Sequence, residues 1–369
     1  MIKVVNVTSD HNIGGAGRCI LTFLQHYDRE QFDVSVILPK GSALIPFIEE
    51  TGTEYYEVEG LKDKSFSFKG VKEIHSKLRK LKPDIVHAHA SFSARIASKL
   101  NFVPVIYTRH SVFPNSKFVS KGIGKLINGF VNNITSDKII AVAGAAKDNL
   151  TEAGVKESKI VVIKNGVKPL TALSKEQIVE AKEKYGIKDE LIFAMIARVE
   201  DIKGHLYFVE AAKKLVDNGV NAKFFVCGTG NYLETVKLKA KETGVDNHFV
   251  FTGYIKDVNE IMNLIDVNVN ASYGTEATSL SLLEGMSLGK PIIASDYGGN
   301  IELVEPGKNG VLFKTKSSDE LYLRMKEISE NRDFYKKLSV GAEELFKEKY
   351  TADINADNIE NIYKQVVRK

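Results

Sequence analysis

Strand-like runs and helix-period stretches alternate along almost the whole of this 369-residue chain, and nothing else in it restricts the fold so much. IKVVNV, FDVSVIL, DIVHAHA, VPVIYTRH, KIIAVA and IVVIKN read as strands in the first half. LIFAMIA, AKFFVCG, FVFTG, VNVNAS, PIIAS and GVLF read as strands in the second. Between them lie segments of helical periodicity such as KEIHSKLRKL, FVEAAKKLVDNG and YLETVKLKAKETG. A strand followed by a helix returns to the sheet in its original direction, so the pattern predicts parallel sheets covered by helices on both faces. The length exceeds one ordinary domain, and the pattern breaks near NGVKPL, residues 165–170. The expectation is an α/β chain of two doubly wound, Rossmann-like domains, 1–167 and 168–350. A last helix, within 351–369, follows the second.

Composition removes several classes. A hydrophobic share of 43% and a charged share of 27% fit a globular protein. No apolar run approaches the roughly 18 residues of a membrane span, and MIKVVNVTSD lacks a signal-peptide core. Cys19 and Cys227 sit in separate halves without metal or disulfide spacing, and both read as small buried hydrophobes. These features predict a cytoplasmic protein with no nucleic-acid partner. The net charge of +4 divides unevenly: residues 1–167 carry 23 Lys/Arg and 16 Asp/Glu (+7), leaving 28 and 31 (−3). A basic first half suits an anionic membrane or acceptor, or is ordinary solvated surface.

The richest segment is SYGTEATSLSLLEGMSLGKPIIAS, residues 272–295. Glu276 and Glu284 stand eight residues apart around an apolar helix that Gly289 ends. On one ideal helix they would differ by roughly 80°, so Glu276 is placed in the preceding loop and Glu284 inside the helix. Ser281-x-x-Glu284 also fits a capping box, which would make Glu284 structural. In the first half, Gly14-Gly15-x-Gly17 follows the first strand and opens a helix, as a phosphate-approaching turn or a plain tight turn. It lacks the spacing and the acidic partner of a dinucleotide fingerprint, which argues against a nicotinamide dehydrogenase. Arg198 and Lys203 follow the strand LIFAMIA, Arg109 and His110 end YTRH, and His87 and His89 share one strand face. No Asp-x-Asp occurs, and no Cys or acid stands at zinc-like spacing from the histidines, so no metal and no cofactor is expected.

E-x7-E opening such a helix, R-x4-K followed by Gly204, and the flank EGMSLGKPIIASDYGG together resemble the retaining GT-B nucleotide-sugar glycosyltransferases of family four. The resemblance implies two such domains facing across a cleft, with the C-terminal helix crossing back to the first. It implies that Glu276 contacts the transferred sugar and Glu284 holds the ribose. Backbone amides of Ala277, Thr278, Ser279 and Leu280 would face the diphosphate and sugar. Arg198 and Lys203 would stabilise the departing diphosphate, His110 would approach the donor sugar, and Gly14, Gly15, Gly228, Tyr254 and Ile255 would line the donor site. Arg109 would meet phosphate or acceptor, and His87 and His89 read as core or acceptor-side residues. Ser279 stands where relatives frequently carry Gly, which leaves the donor sugar open. The implied partners are a nucleotide-sugar donor, with UDP favoured over GDP-mannose, and a sugar, glycan or lipid-linked acceptor in cell-surface polysaccharide or glycolipid assembly. A nucleotide-sugar epimerase and a non-catalytic sugar-nucleotide-binding partner are the alternatives. Residues 111–134, with Lys117, Lys121 and Lys125 among Phe113, Phe118, Ile123, Leu126 and Phe130, predict either an amphipathic helix on a membrane or, as the favoured reading, apolar positions facing the core.

Overall fold

A computed structural model describes residues 1–112 and 115–367; Phe113 therefore lies outside the described residues. The chain forms two compact units, Met1–Val167 joined by the segment from Ala352, and Lys168–Thr351. The first unit is a parallel seven-stranded sheet: β1 Ile2–Thr8, β2 Phe32–Pro39, β3 Glu54–Val58, β4 Ile85–His89, β5 Val105–Arg109, β6 Lys138–Ala141 and β7 Ile160–Val162. Its order is β3-β2-β1-β4-β5-β6-β7. The second is a parallel six-stranded sheet of β8 Leu191–Ile196, β9 Ala222–Cys227, β10 Phe249–Gly253, β11 Val267–Asn270, β12 Ile292–Ser295 and β13 Gly310–Phe313. Its order is β10-β9-β8-β11-β12-β13.

Seven helices matter below: α1 Gly15–His26, α2 Phe92–Leu100, α3 Gly122–Thr135, α4 Gly144–Glu152, α5 His205–Asp217, α6 Leu280–Met286 and α7 Ala352–Val367. Consecutive apolar residues on a strand serve opposite helical layers, as a sheet buried on both faces requires. In β9, Phe224 packs with Phe193 and Phe208 on one face, and Phe225 packs with Ile192 and Ile265 on the other. Each fully buried phenylalanine contributes roughly 1.5–3 kcal/mol. The α7 helix belongs to the first unit. Tyr363 packs edge-on against Phe23 and Phe32, and Glu360 accepts a hydrogen bond from the Asp28 amide at 2.7 Å.

Two features differ from the sequence reading. EYYEV forms β3 at the sheet edge, where its half-exposed faces give no apolar signature. The favoured core-facing orientation for residues 111–134 is also corrected. In α3 the exposed side chains are Ile123, Leu126 (72% exposed), Ile127, Phe130 (64%) and Ile134, and Phe118 just before it is exposed too. The buried positions are Gly124, Gly129 and Thr135. The helix is seated by its glycines: a Cβ on Gly129 would lie 2.1 Å from the Gly154 carbonyl oxygen. Close backbone approach fixes which face turns inward, and the apolar stripe is left outside.

Candidate active site

The second unit gathers its polar groups at the carboxyl ends of β8, β11 and β12. Glu276 lies in the loop after β11, with its side chain only 8% exposed. One carboxylate oxygen, Oε2, accepts from Lys203 Nζ at 3.0 Å, Asn270 Nδ2 at 3.2 Å and Ser272 Oγ at 2.9 Å. These donors are themselves held in place. Ser295 Oγ donates to the Ser272 carbonyl, and Asn300 Nδ2 lies 3.1 Å from Ser295 Oγ. A buried carboxylate oxygen held by a cation and two neutral donors is fixed in direction.

Backbone packing places both partners. Gly204 follows Lys203 with φ +77°, and a Cβ there would meet the Ala271 carbonyl oxygen at 2.1 Å. Lys203 is thereby pulled against the strand that carries Asn270. On the other side, a Cβ on Gly299 would fall 1.6 Å from the Ala277 carbonyl oxygen, and the Gly299 amide donates to the Glu276 carbonyl at 3.1 Å. Gly228 approaches the loop after β8 equally closely, since its Cβ would lie 2.0 Å from the Ala197 carbonyl oxygen.

Glu284 is the fifth residue of α6, and the capping-box reading is corrected. Ser279 is the N-cap, its hydroxyl meets Ser281 Oγ at 3.2 Å, and Glu284 lies two residues beyond the position a box requires. Gly289 closes the helix at φ +66°, with Lys290 N donating to Gly285 O and Gly289 N to Met286 O. Ala277 and Ser279 are buried and Thr278 and Leu280 half-buried at the helix entry. Tyr254 projects to solvent after β10, while Ile255 packs against the core. Arg198 is not brought to the Lys203–Glu276 pair: its side chain is 73% exposed and Nη1 lies 2.9 Å from Glu200 Oε1.

In the first unit, Gly14 and Gly15 open α1, and among the described residues nothing lies within 4 Å of either added Cβ, so space stands over both backbones. His110 follows β5 and ends a chain of imidazoles. His89 Nε2 donates to Asn6 Oδ1 at 2.9 Å, which leaves His89 Nδ1 to accept from His110 Nε2 at 2.9 Å. His110 Nδ1 is then a buried lone pair with no partner among the described residues. Burial lowers His110 to about 4 and His87 to about 3. His87 lies between Tyr363 OH at 2.7 Å and Thr108 Oγ1 at 2.6 Å.

Known proteins resemble this chain in sequence and in fold. The description "Glycosyltransferase Family 4" fits residues 13–169, and "Glycosyl transferases group 1" fits residues 177–345. The chain belongs to the family-four glycosyltransferases. It is 28% identical over 352 residues to the UDP-Gal:alpha-D-GlcNAc-diphosphoundecaprenol alpha-1,3-galactosyltransferase of Escherichia coli, covering 90% of this chain and 89% of that one. It is 27% identical over 320 residues to the alpha-monoglucosyldiacylglycerol synthase of Acholeplasma laidlawii, covering 81% and 79%. Its fold is that of Anabaena Alr3699/HepE, solved in complex with UDP, at TM-score 0.87 and 19% identity over 99% and 100% of the two chains. The fold is therefore GT-B.

Several groups of the candidate site escaped the sequence reading. Asn270, Ser272, Ser295 and Asn300 hold Glu276 from behind, and only the alternation of Val and Asn in VNVN hinted at polar groups on a central strand. His205, the first residue of α5, is fully buried with neither ring nitrogen partnered among the described residues. Burial, reinforced by neighbouring Lys203, lowers it to about 4. Both thiols are free, and burial pushes Cys19 up to about 12 and Cys227 to about 11.

Proposed function

We propose that the chain transfers a sugar from a nucleoside diphosphate donor, with a UDP-sugar favoured, to a hydroxyl of a glycan or lipid-linked acceptor. The anomeric configuration is retained and no metal is used. The buried Lys203–Glu276 pair carries this reading. Breaking the sugar–phosphate bond sends its electron pair to the diphosphate. A fixed ammonium stabilises that growing charge more in the transition state than in the ground state. Arg198, exposed and paired with Glu200, supplies a second cation when an anion competes for it. Glu276, held from behind, orients the sugar; Glu284 takes the ribose, and the amides from Ala277 to Leu280 face the diphosphate. The acceptor oxygen attacks from the side of the leaving group, and its proton passes to the departing phosphate. His110 and the Gly14–Gly15 turn serve the donor as the family resemblance implies. Gly228, Tyr254 and Ile255 serve the nucleotide.

The favoured donor follows from the UDP-Gal in the Escherichia coli relative's name and the UDP bound in the Anabaena structure. An acceptor held at a bilayer follows from α3. Its exposed apolar stripe is flanked by Lys117, Lys121 and Lys125, and no Asp or Glu occurs between Asp84 and Asp137. Such a face suits an anionic lipid surface. No helix among the described residues is long and apolar enough to cross a membrane. The test is thermal stabilisation by a panel of nucleotide sugars, followed by turnover of the stabilising donor with and without EDTA. Loss of turnover in chelator that magnesium or manganese restores would end the metal-free mechanism. Turnover within twofold of normal in both Lys203→Gln and Glu276→Gln would end the assignment of the pair.

A further inference from the structure

Behind α3, in the first unit, lies a second site that the donor chemistry does not use. A cavity of about 540 Å³ is lined by Arg95 of α2, Arg109 of β5, Asn128 and Asn132 of α3, Asn149 of α4 and the ring of Phe92. Among the described residues no Asp or Glu lines it. Arg95 is the unusual member. Its residue is only 5% exposed, and no carboxylate pairs with it among the described residues. Nη2 donates to the Asn132 Oδ1 at 3.0 Å and to Thr135 Oγ1, and the guanidinium carbon stands 4.6 Å from the Tyr107 ring centre. Nε is buried and has no hydrogen-bond partner among the described residues.

A buried guanidinium is ordinarily neutralised by a carboxylate, because the desolvation of an ion costs several kcal/mol. Here neutral oxygens and aromatic faces meet only part of that need. Burial already depresses the Arg95 guanidinium, to about 10, the direction expected of a cation without a counter-ion. Arg109 opens into the same cavity with its Nη2 on Asn149 Oδ1 at 3.3 Å. Two guanidiniums and several amides around a void of this size form a receptor for a compact multivalent oxyanion. The other face of α3, which forms one wall, is the exposed apolar stripe.

We propose that this cavity binds a phosphate ester group, with Arg95 and Arg109 as its cations, and that the ester is the headgroup of an amphipathic ligand whose chain lies along α3. This deepens the functional reading, because the ligand is then an acceptor anchored through phosphate. Its test measures binding, so the two can fail separately.

The probes are decyl phosphate below its micelle concentration, inorganic phosphate, and uncharged decyl maltoside. They are titrated calorimetrically into full-length protein carrying Lys203→Gln, which removes the second unit's buried cation. Decyl phosphate is expected to bind, and Arg109→Gln to weaken it tenfold or more, the scale of one charge-assisted hydrogen bond. Asn132→Asp sets a carboxylate against Arg95. It is expected to raise thermal stability while abolishing decyl phosphate binding, a pairing of effects that a merely structural Arg95 would not produce. Tighter binding of decyl phosphate than of inorganic phosphate assigns a lipid headgroup; equal binding assigns a free phosphate ester and removes the chain along α3. Decyl maltoside binding as well as decyl phosphate, or unchanged binding in both variants, overturns the proposal. Donor turnover measured in parallel reports separately on the transferase reading.

Discussion

Replacing Lys203 by Met removes the ammonium and keeps most of the stem volume. Glu276, its side chain only 8% exposed, is then left with Asn270 Nδ2 and Ser272 Oγ as hydrogen-bond donors at 3.2 and 2.9 Å. At an effective dielectric of about 20, charges 3.0 Å apart attract by roughly 5 kcal/mol, most of which offsets desolvation. Stranding one partner of a buried pair costs about 3–5 kcal/mol, and the two neutral donors place this case near the lower figure. Glu276→Gln is milder, about 1–2 kcal/mol, because the freed ammonium on its flexible stem can turn toward solvent. The double variant strands no charge, so its loss should fall short of the sum by about 2 kcal/mol. The chain contains no tryptophan, so urea unfolding is followed by far-ultraviolet circular dichroism. The midpoints should move at constant slope. A coupling below about 0.5 kcal/mol would mean that the two groups do not pair in solution, and the account of the site would fail with it.

Other expectations are independent. Gly299→Ala meets the Ala277 carbonyl 1.6 Å away at an ordinary negative φ, so it should displace the Glu276 loop and lower turnover at least a hundredfold, whereas Gly14→Ala, with open space around it, should leave the melting temperature within about 2 °C. Acid should destabilise the first unit before its surface carboxylates titrate. His110, held near 4 against an ordinary 6.5, contributes about 3 kcal/mol that is complete above pH 6.5 and lost as pH falls toward 4. His87 adds in the same sense, while Asp10 and Glu360, raised by burial, act in the opposite one. Urea midpoints that stay flat from pH 7 to 4.5 in the parent, or an unchanged slope in His110→Gln, would contradict the buried neutral imidazoles. Leu126→Glu with Phe130→Glu, both on exposed α3 positions, should abolish flotation with anionic vesicles and leave the circular dichroism melt unchanged; flotation that persists would move the membrane contact elsewhere.

Much of this arrangement is legible in the residues. Gly289, Gly204 and the Gly298-Gly299 pair mark places where only backbone fits or where φ is positive, so they point to a loop–helix–strand geometry in one dimension. The apolar runs of β8 and β9 are equally plain, because both faces are buried. What stayed hidden depends on contacts between distant segments. Periodicity shows that α3 has an apolar face but not which way it turns, which Gly129 against Gly154 decides. The edge strand β3 has no apolar rhythm, since nothing covers it fully. Arg95 carries no motif of its own, and its burial arises only where Tyr107 and Asn132 close over it.

Because α7 supplies Tyr363 and Glu360 to a sheet whose strands end by Val162, the first unit is discontinuous in the chain. During synthesis its seven strands emerge well before the helix that completes their core, while the segment 168–351 can close on itself in between. The order of translation and the order of completion are therefore reversed. A stop codon before residue 352 would damage the half of the protein made first.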